Sequence, residues 1–465
     1  MAFTSQHKFL FRTPLSVGCS ILFYLVSCMN SKPNTLTEET VVTLTKSDQG
    51  HTLHHNGVFS KDGQWVIFDG RNDDTKIGET SLIGMVNVET GEERALYKTS
   101  NPSIYGPGVG AASFNPVTDR AVFIHGLSGA NELKPYGMTR RTGVAVDPAR
   151  PQESIFLDAR DVSAPYTAGS LRGGTHGHCW SADGQMLSYT YNDELVEPDL
   201  RTVGVMVPTD SVIRVDVGEG NNDGHMYAAI VAKVIANPEP GSDEINKAFD
   251  ECWIGKNGYI NADGDRVPHA IAFQGNTLDE EGNVVTEIFV VDVDAGKIVD
   301  DATATGNECE RPQVPAGIKQ RRLTRSEGFS EIRYWLRSSP DGKYVYALAK
   351  DTNQRNQIVQ CDVLTGEMTF VTSYGITINS PFNLNPSGTK FIFVADNNVI
   401  VYERGKNEYL KLTDNGTDSL KIVGTPSFSP TGDYVVFTQY VEHTNGGQFL
   451  QVHRRSLDLA SNTVF

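Results

Sequence analysis

The sequence predicts an all-β protein, a seven-bladed β-propeller closed by its own N-terminal strand, with one small helical insertion near 242–255. Three observations carry this. A short turn motif recurs along the chain, a β-rich run follows each copy, and the glycines of the last three copies stand 46 and 44 residues apart. That spacing is the length of one four-stranded propeller blade. With 465 residues, a formal charge of −17 and 39% hydrophobic residues, the chain is long enough for one large repeat domain. Acidity of this degree, with no block of five or six like charges, argues against nucleic acid as a partner.

The motif reads aromatic or apolar, Ser or Asn, Pro or small, variable, Gly. It appears as Phe59-Ser60-Lys61-Asp62-Gly63, as Phe114-Asn115-Pro116-Val117-Thr118-Asp119, and as Trp180-Ser181-Ala182-Asp183-Gly184. Later come Ser338-Ser339-Pro340-Asp341-Gly342, Leu384-Asn385-Pro386-Ser387-Gly388 and Phe428-Ser429-Pro430-Thr431-Gly432. Each is a hairpin signal: Asp-Gly or Ser-Gly supplies a positive-φ turn, and the β-branched and aromatic run behind it forms the next strand. Between Gly184 and Gly342 the pattern weakens, and His269 to Asn276 followed by Glu287 to Asp292 is the degenerate copy that brings the blades to seven. In the same interval Ser242, followed by Asp243 and Glu244, predicts a helix N-terminus running to about Gly255.

Closure is also written in the sequence. Leu323-Thr324 and Leu412-Thr413 end outer strands, and Val41-Val42-Thr43-Leu44-Thr45 has the same form but precedes the first motif. The N-terminal strand is therefore expected as the outermost strand of the last blade, covering an open edge.

Residues 1–28 read as a lipoprotein signal peptide. Lys8 and Arg12 supply a basic start, Leu15 to Val26 is apolar, and Leu25-Val26-Ser27-Cys28 resembles a lipobox. The domains are then 1–28 signal, 29–39 tether and 40–465 a single propeller. The expected location is the cell envelope, periplasm or outer membrane, with Cys28 lipidated and the membrane touched only through that anchor. No later stretch is long and apolar enough for a transmembrane helix. Of the remaining cysteines, Cys179, Cys252, Cys309 and Cys361 show no zinc-like spacing; a Cys252–Cys309 disulfide is compatible with export, and Cys179 beside Trp180 reads as a packed core thiol.

The histidines give the candidate site. His55, His176 and His269 each stand four residues before the first residue of a turn motif, and His178 stands two before Trp180. In a propeller this segment is the innermost strand of a blade, beside the central channel. With a period of two, His176 and His178 share a face. Three or four imidazoles, drawn from three blades, would then converge on one end of the channel, as a divalent metal requires. His51, His54 and His225 take their places if the register is off by a residue. Arg172 and Tyr166, just ahead of the His pair, are the candidate catalytic residues, to clamp a carboxylate or to act as base or acid.

The repeats resemble those of TolB-type propellers. Asp158 to Thr167, Leu171-Arg172-Gly173-Gly174-Thr175-His176-Gly177-His178, Tyr189 to Asp193 and Pro240 to Asn246 together resemble a YidR-like bacterial family of largely uncharacterised TolB-like propellers. More distantly, His176-Gly177-His178 is similar to the His-x-His pair of oligogalacturonate lyases, which implies a seven-bladed propeller with a channel-mouth metal, usually manganese. Those enzymes also use a glutamine; the residue three before the first histidine is Gly173 here. The resemblance implies a propeller that binds or acts on a carbohydrate, an acidic oligosaccharide or other small ligand, as a metal-assisted uronate lyase. The other class in view is a non-catalytic TolB-like platform for protein partners or a ligand.

Overall fold

Five of the six turn motifs close their hairpins by the same local chemistry; in the second, Asn115 Oδ1 accepts instead from Val117 N and Thr118 N, and Asp119 takes the positive φ of 59°. The hydroxyls of Ser60, Ser181, Ser339 and Ser429 accept from the backbone N–H of Trp65, Met186, Tyr344 and Tyr434 at 3.0, 3.0, 2.9 and 3.3 Å. The amide oxygen of Asn385 does the same for Lys390 at 2.8 Å. Gly63, Gly184, Gly342, Gly388 and Gly432 follow at φ of 71°, 69°, 74°, 71° and 77°, a region that costs other residues about 1 kcal/mol.

A computed structural model describes residues 41–73, 75–325, 329–373, 375–406, 409–416 and 418–457. The expected signal peptide, Cys28 and the expected tether to residue 39 lie outside the described residues. By internal contacts the chain divides into 1–38 and 39–465, and all the described strands lie in the second unit. Seven antiparallel sheets follow one another along it. Six are four-stranded; the first contains Trp65–Asp69, Leu82–Asn87 and Glu93–Lys98, with its innermost segment attached through bridges Thr52–Asp69 and Phe59–Val66. Apolar cores lie between neighbouring blades, as where Val203, Val205 and Val207 meet Ile271, Phe273 and Phe289. Val436 and Val452 of the last blade join the same core as Val66 and Phe68 of the first, closing the ring.

The expected closure is present. Val42–Thr43 pairs antiparallel with Gln448–Ser456, Val42 opposite Arg454, as the outermost strand of the seventh blade. Thr45 accepts from Val452 N at 2.9 Å, as Thr324 does from Ile288 N at 2.9 Å and Thr413 from Val399 N at 3.0 Å.

Two expectations fail in the fourth blade. The segment near 242–255 is not helical: Lys247–Trp253 is its innermost strand, paired from Lys247 opposite Asn276 to Trp253 opposite Ile271. Long-range pairing outweighs the local helix signal, and Ser242 caps a turn by donating to Glu239 O at 2.6 Å. Among the described residues the one α-helix is Ala295–Asp300, capped by Asp294. The turn motif of this blade is also earlier than expected. It is Ile254 to Gly258, followed by a small excursion, Tyr259–Ile260 against Arg266–Val267. Ala270–Leu278 is then the second strand, so His269 does not stand on an innermost strand. Cys179, Cys252, Cys309 and Cys361 are all free, so the Cys252–Cys309 pair is not formed.

Candidate functional site: the channel mouth

The innermost strands break their alternation at one level. Ala111, Gly177, Asp250, Tyr334 and Gly424 have φ of 54°, 69°, 54°, 62° and 80°. The pairing register shifts across each of them. A bulge of this kind re-aims the residues on either side of it. Above this level lies a cavity of about 1090 Å³ lined from all seven blades, His54, Arg71, Arg141, His176, Arg201 and Asp250 among its walls.

The bulge separates the two histidines expected on one face. His176 faces the cavity, whereas His178 is fully buried beside it. His178 Nε2 lies 3.0 Å from Thr175 Oγ1. The Thr175 hydroxyl donates to Asp158 Oδ2 at 3.1 Å. Asp158 Oδ1 is already satisfied by Thr142 Oγ1 and Gly143 N, both at 2.7 Å. With its one proton given to the carboxylate, the hydroxyl accepts from His178, which fixes the imidazole as the Nε2–H tautomer. Its Nδ1 lone pair is buried and has no partner, and the nitrogens His54 Nε2 and His176 Nδ1 are likewise buried without a partner. Burial, then the nearby guanidinium of Arg141, pushes His178 down to about 3. Burial, then Arg71, pushes His54 down to about 3. Burial, then Arg141 and Arg201, holds His176 well below the ordinary value. All three are neutral at physiological pH.

The other predicted residues stand elsewhere or are engaged. His55 does reach the cavity, but it stacks on Trp335 at 4.1 Å and its Nδ1 accepts from Arg337 at 3.2 Å. Its Nε2 therefore carries the proton and points at Cys179 Sγ, 3.9 Å away. His269 pairs with Asp183 at 2.8 Å outside the mouth, and Phe249 occupies the position assigned to it. Arg172 is buried and spent: Nε donates to Asp193 at 3.0 Å, Nη1 to Asn307 O at 2.5 Å and Nη2 to Glu310 O at 2.6 Å. Tyr166 lies 4.6 Å from its guanidinium, and neither residue lines the cavity. Of the substitutes, His54 is at the mouth, His51 is tied to Leu450 O and Glu93, and His225 is exposed.

A channel-mouth metal is therefore tested on the atoms present. Neutral imidazoles with orphaned nitrogens are what a divalent ion needs, and His178 has the carboxylate-backed support common behind metal-bound histidines. The donor chemistry fits at His54, His176 and His178, and not at His55 or His269. Among the described residues, the donor atoms that lie within 4.8 Å of one another belong to His54, His55 and Cys179; the three orphaned nitrogens are more widely spread. That tighter trio suits a metal poorly, because Arg337 commits His55 and burial drives the Cys179 thiol far up.

The mouth is cationic. Arg71, Arg141, Arg201 and Lys421 face two carboxylates in the lining, Asp250 and Asp396. Arg71 is paired with buried Asp69 at 2.7 Å. Arg141 Nη1 donates to the Tyr136 hydroxyl at 3.0 Å, and the other ends of Arg141 and Arg201 converge on a thioether: Met138 Sδ lies 3.0 Å from Arg141 Nη2 and 3.9 Å from Arg201 Nη2. A thioether is a weak acceptor, and two guanidiniums over one weak acceptor form the frame of an anion site. Sequence reasoning missed Arg141, Arg201 and Asp250. The available signal was the repeated Cys-Trp dipeptide, Cys179-Trp180 and Cys252-Trp253, which aligns Asp250 with Gly177.

Comparison with known proteins follows from this geometry. A family model described as "Protein of unknown function (DUF3748)" matches residues 108–219. Over 424 residues the chain is 34% identical to the uncharacterized protein YidR of Escherichia coli (strain K12), spanning 87% of this chain and 95% of that one. An oligogalacturonate lyase in complex with manganese superposes with a TM-score of 0.51 at 15% identity, over 90% of this chain and 93% of its own. An oligogalacturonate lyase from Vibrio parahaemolyticus gives a TM-score of 0.50 at 14% identity, over 92% and 96%. At these identities the structural likeness is one of fold.

Proposed function

Since the chain belongs to the YidR family, and its propeller opens into a cationic mouth, we propose that it takes an acidic oligosaccharide into that mouth and acts on it as a metal-assisted uronate lyase. The observation that carries this is the convergence of Arg141 and Arg201 on Met138 Sδ. A sugar carboxylate in place of the sulfur would accept charge-assisted hydrogen bonds from both guanidiniums, each about twice as strong as a neutral one. In a chain of net charge −17 an anion is drawn only where cations are concentrated, and the mouth is such a place. A divalent ion, manganese in the lyase of like fold, would supply Lewis acidity to the same carboxylate, with His54, His176 and His178 as its donors once they draw closer than their present spacing. Arg172 and Tyr166 serve in this reading by holding the segment around Asn307 to Glu310 against the third blade. Export and lipid attachment through Cys28 belong to the same proposal, since polymeric uronates are met outside the cytoplasm.

Titration calorimetry with trigalacturonate tests the reading. Binding to the wild type, lost in the Arg141→Gln/Arg201→Gln double variant, is the expected result, together with release of an unsaturated product seen by ultraviolet absorbance. No binding by the metal-loaded wild type would overturn it. A second reading, a non-catalytic docking platform, is favoured by the loop tips Ile104, Leu133 and Val217, exposed at 76%, 92% and 107%. It predicts binding of a protein partner with the Arg141 and Arg201 variants unaffected.

A further inference from the structure

Asp396 and Lys421 at the mouth are exposed to solvent, whereas Asp250 is a partly buried charge with nothing to hold it. Asp250 sits on the innermost strand of the fourth blade and lines the cavity together with Arg201 and His176. Among the described residues no hydrogen bond or ion pair holds its carboxylate. Other buried carboxylates nearby are committed: Asp69 to Arg71 and Ala111 N, Asp158 to Thr142, Gly143 and Thr175, Asp193 to Arg172 and Tyr191. Buried Glu251 accepts from Thr190 Oγ1 at 3.2 Å on one oxygen and leaves the other unpartnered, but it does not line the cavity.

The backbone at Asp250 is also costly. Its φ is 54°, at the bulge where the third and seventh blades place Gly177 and Gly424. A non-glycine residue in this region costs on the order of 1 kcal/mol, and such strain collects at functional sites. The second and fifth blades also carry non-glycine residues at this bulge, Ala111 and Tyr334, so the free carboxylate is what sets Asp250 apart. Around Asp250 stand Arg201 from the third blade, Lys247 on its own strand, Arg337 from the fifth blade, and buried Glu251 beside it. Burial outweighs those cations and raises Asp250 to about 6, a value at which a carboxylate can both take and return a proton near neutrality.

We propose that Asp250 is the proton-transfer residue of this mouth, acting on C5 of a uronate whose carboxylate is held by Arg141 and Arg201. The inference rests on the lyase reading and adds the base to it. Asp250 takes the C5 proton, and the electron pair of the broken C5–H bond forms the C4=C5 double bond. The C4–O4 bond breaks with its pair on O4, which takes a proton from solvent water, while Asp250 returns its proton to solvent. No oxidant or further reactant is consumed.

Three variants of the metal-loaded full chain test it on trigalacturonate. Asp250→Asn is expected to bind trigalacturonate within twofold of the wild type, yet to lose turnover by at least about 100-fold. In deuterated water it should also lose exchange at C5 followed by proton NMR. Asp250→Glu should restore part of the turnover. Asp250→Gly should melt at a higher temperature than the wild type while remaining inactive, because it relieves both the strain and the buried carboxylate. A residue with a purely structural role would lower stability when replaced. Wild-type turnover in Asp250→Asn overturns the assignment alone. A wild type that binds trigalacturonate but neither exchanges C5 nor eliminates overturns the lyase reading and Asp250's role with it.

Discussion

Thr175 decides what His178 can do. Its hydroxyl passes a proton to Asp158 and accepts one from His178 Nε2, so the free lone pair of the imidazole is on Nδ1. Thr175→Val should strand both the Nε2–H and one carboxylate oxygen, at a cost of about 1–3 kcal/mol in stability. It should also release the tautomer, and nitrogen chemical shifts of labelled histidine would show a mixture in place of one Nε2–H form. Thr175→Ser should restore the single form; an unchanged tautomer in Thr175→Val would refute the relay. The His-x-His pair was legible as a pair. Its division between cavity wall and interior was not, because alternation predicts a shared face and only the bulge at Gly177 breaks it. Gly177, at φ 69°, is the device that parts the two rings.

At the level of elements, the turn motifs were readable because each encodes its own hydrogen bonds. Ser or Asn closes the hairpin and glycine turns it, with no need of distant residues. The fourth blade was hidden because Ile254-Gly255-Lys256-Asn257-Gly258 has neither Ser nor Pro, and because the excursion at 259–267 delays its second strand. The closing strand was readable from Leu44-Thr45, which repeats the Leu-Thr ends of two outer strands. Its hydrogen bonds make a prediction. Thr45→Val leaves Val452 N without its side-chain acceptor and should destabilise the chain by about 1 kcal/mol. Deleting residues 41–45 exposes the edge of Gln448–Ser456, so calorimetry should show a markedly lower melting temperature and size-exclusion chromatography should show self-association. A truncated chain that melts like the full one would mean the ring closes without this strand.

For the whole molecule, the interior charges set a pH optimum that neither the net charge nor the pI of about 5.1 would suggest. Burial depresses His54 and His178 from 6.5 to about 3 and His453 to about 4, and lowers His55 and His176 as well. These rings stay neutral in the folded chain while the unfolded chain would take up their protons below about 6.5. Their contribution to stability is thus full above that pH and is lost as pH falls toward 3. Asp250 and Glu251 have the opposite sign. Burial raises them from 3.8 and 4.5 to about 6 and about 7, so their contribution is present below about 4 and is lost as pH rises through 6 and 7. Between pH 4.5 and 6.5 the histidines outnumber the carboxylates, and each net group shifts stability by roughly 1.4 kcal/mol per pH unit. The melting temperature should therefore climb from pH 5 to about pH 6.5 and then decline slightly toward pH 8. In an Asp250→Asn/Glu251→Gln variant the decline on the alkaline side should vanish while the acid limb remains. A wild-type melting temperature that is highest at pH 5 would show that the histidines are not held neutral, and the channel mouth would then have to be rebuilt around protonated rings.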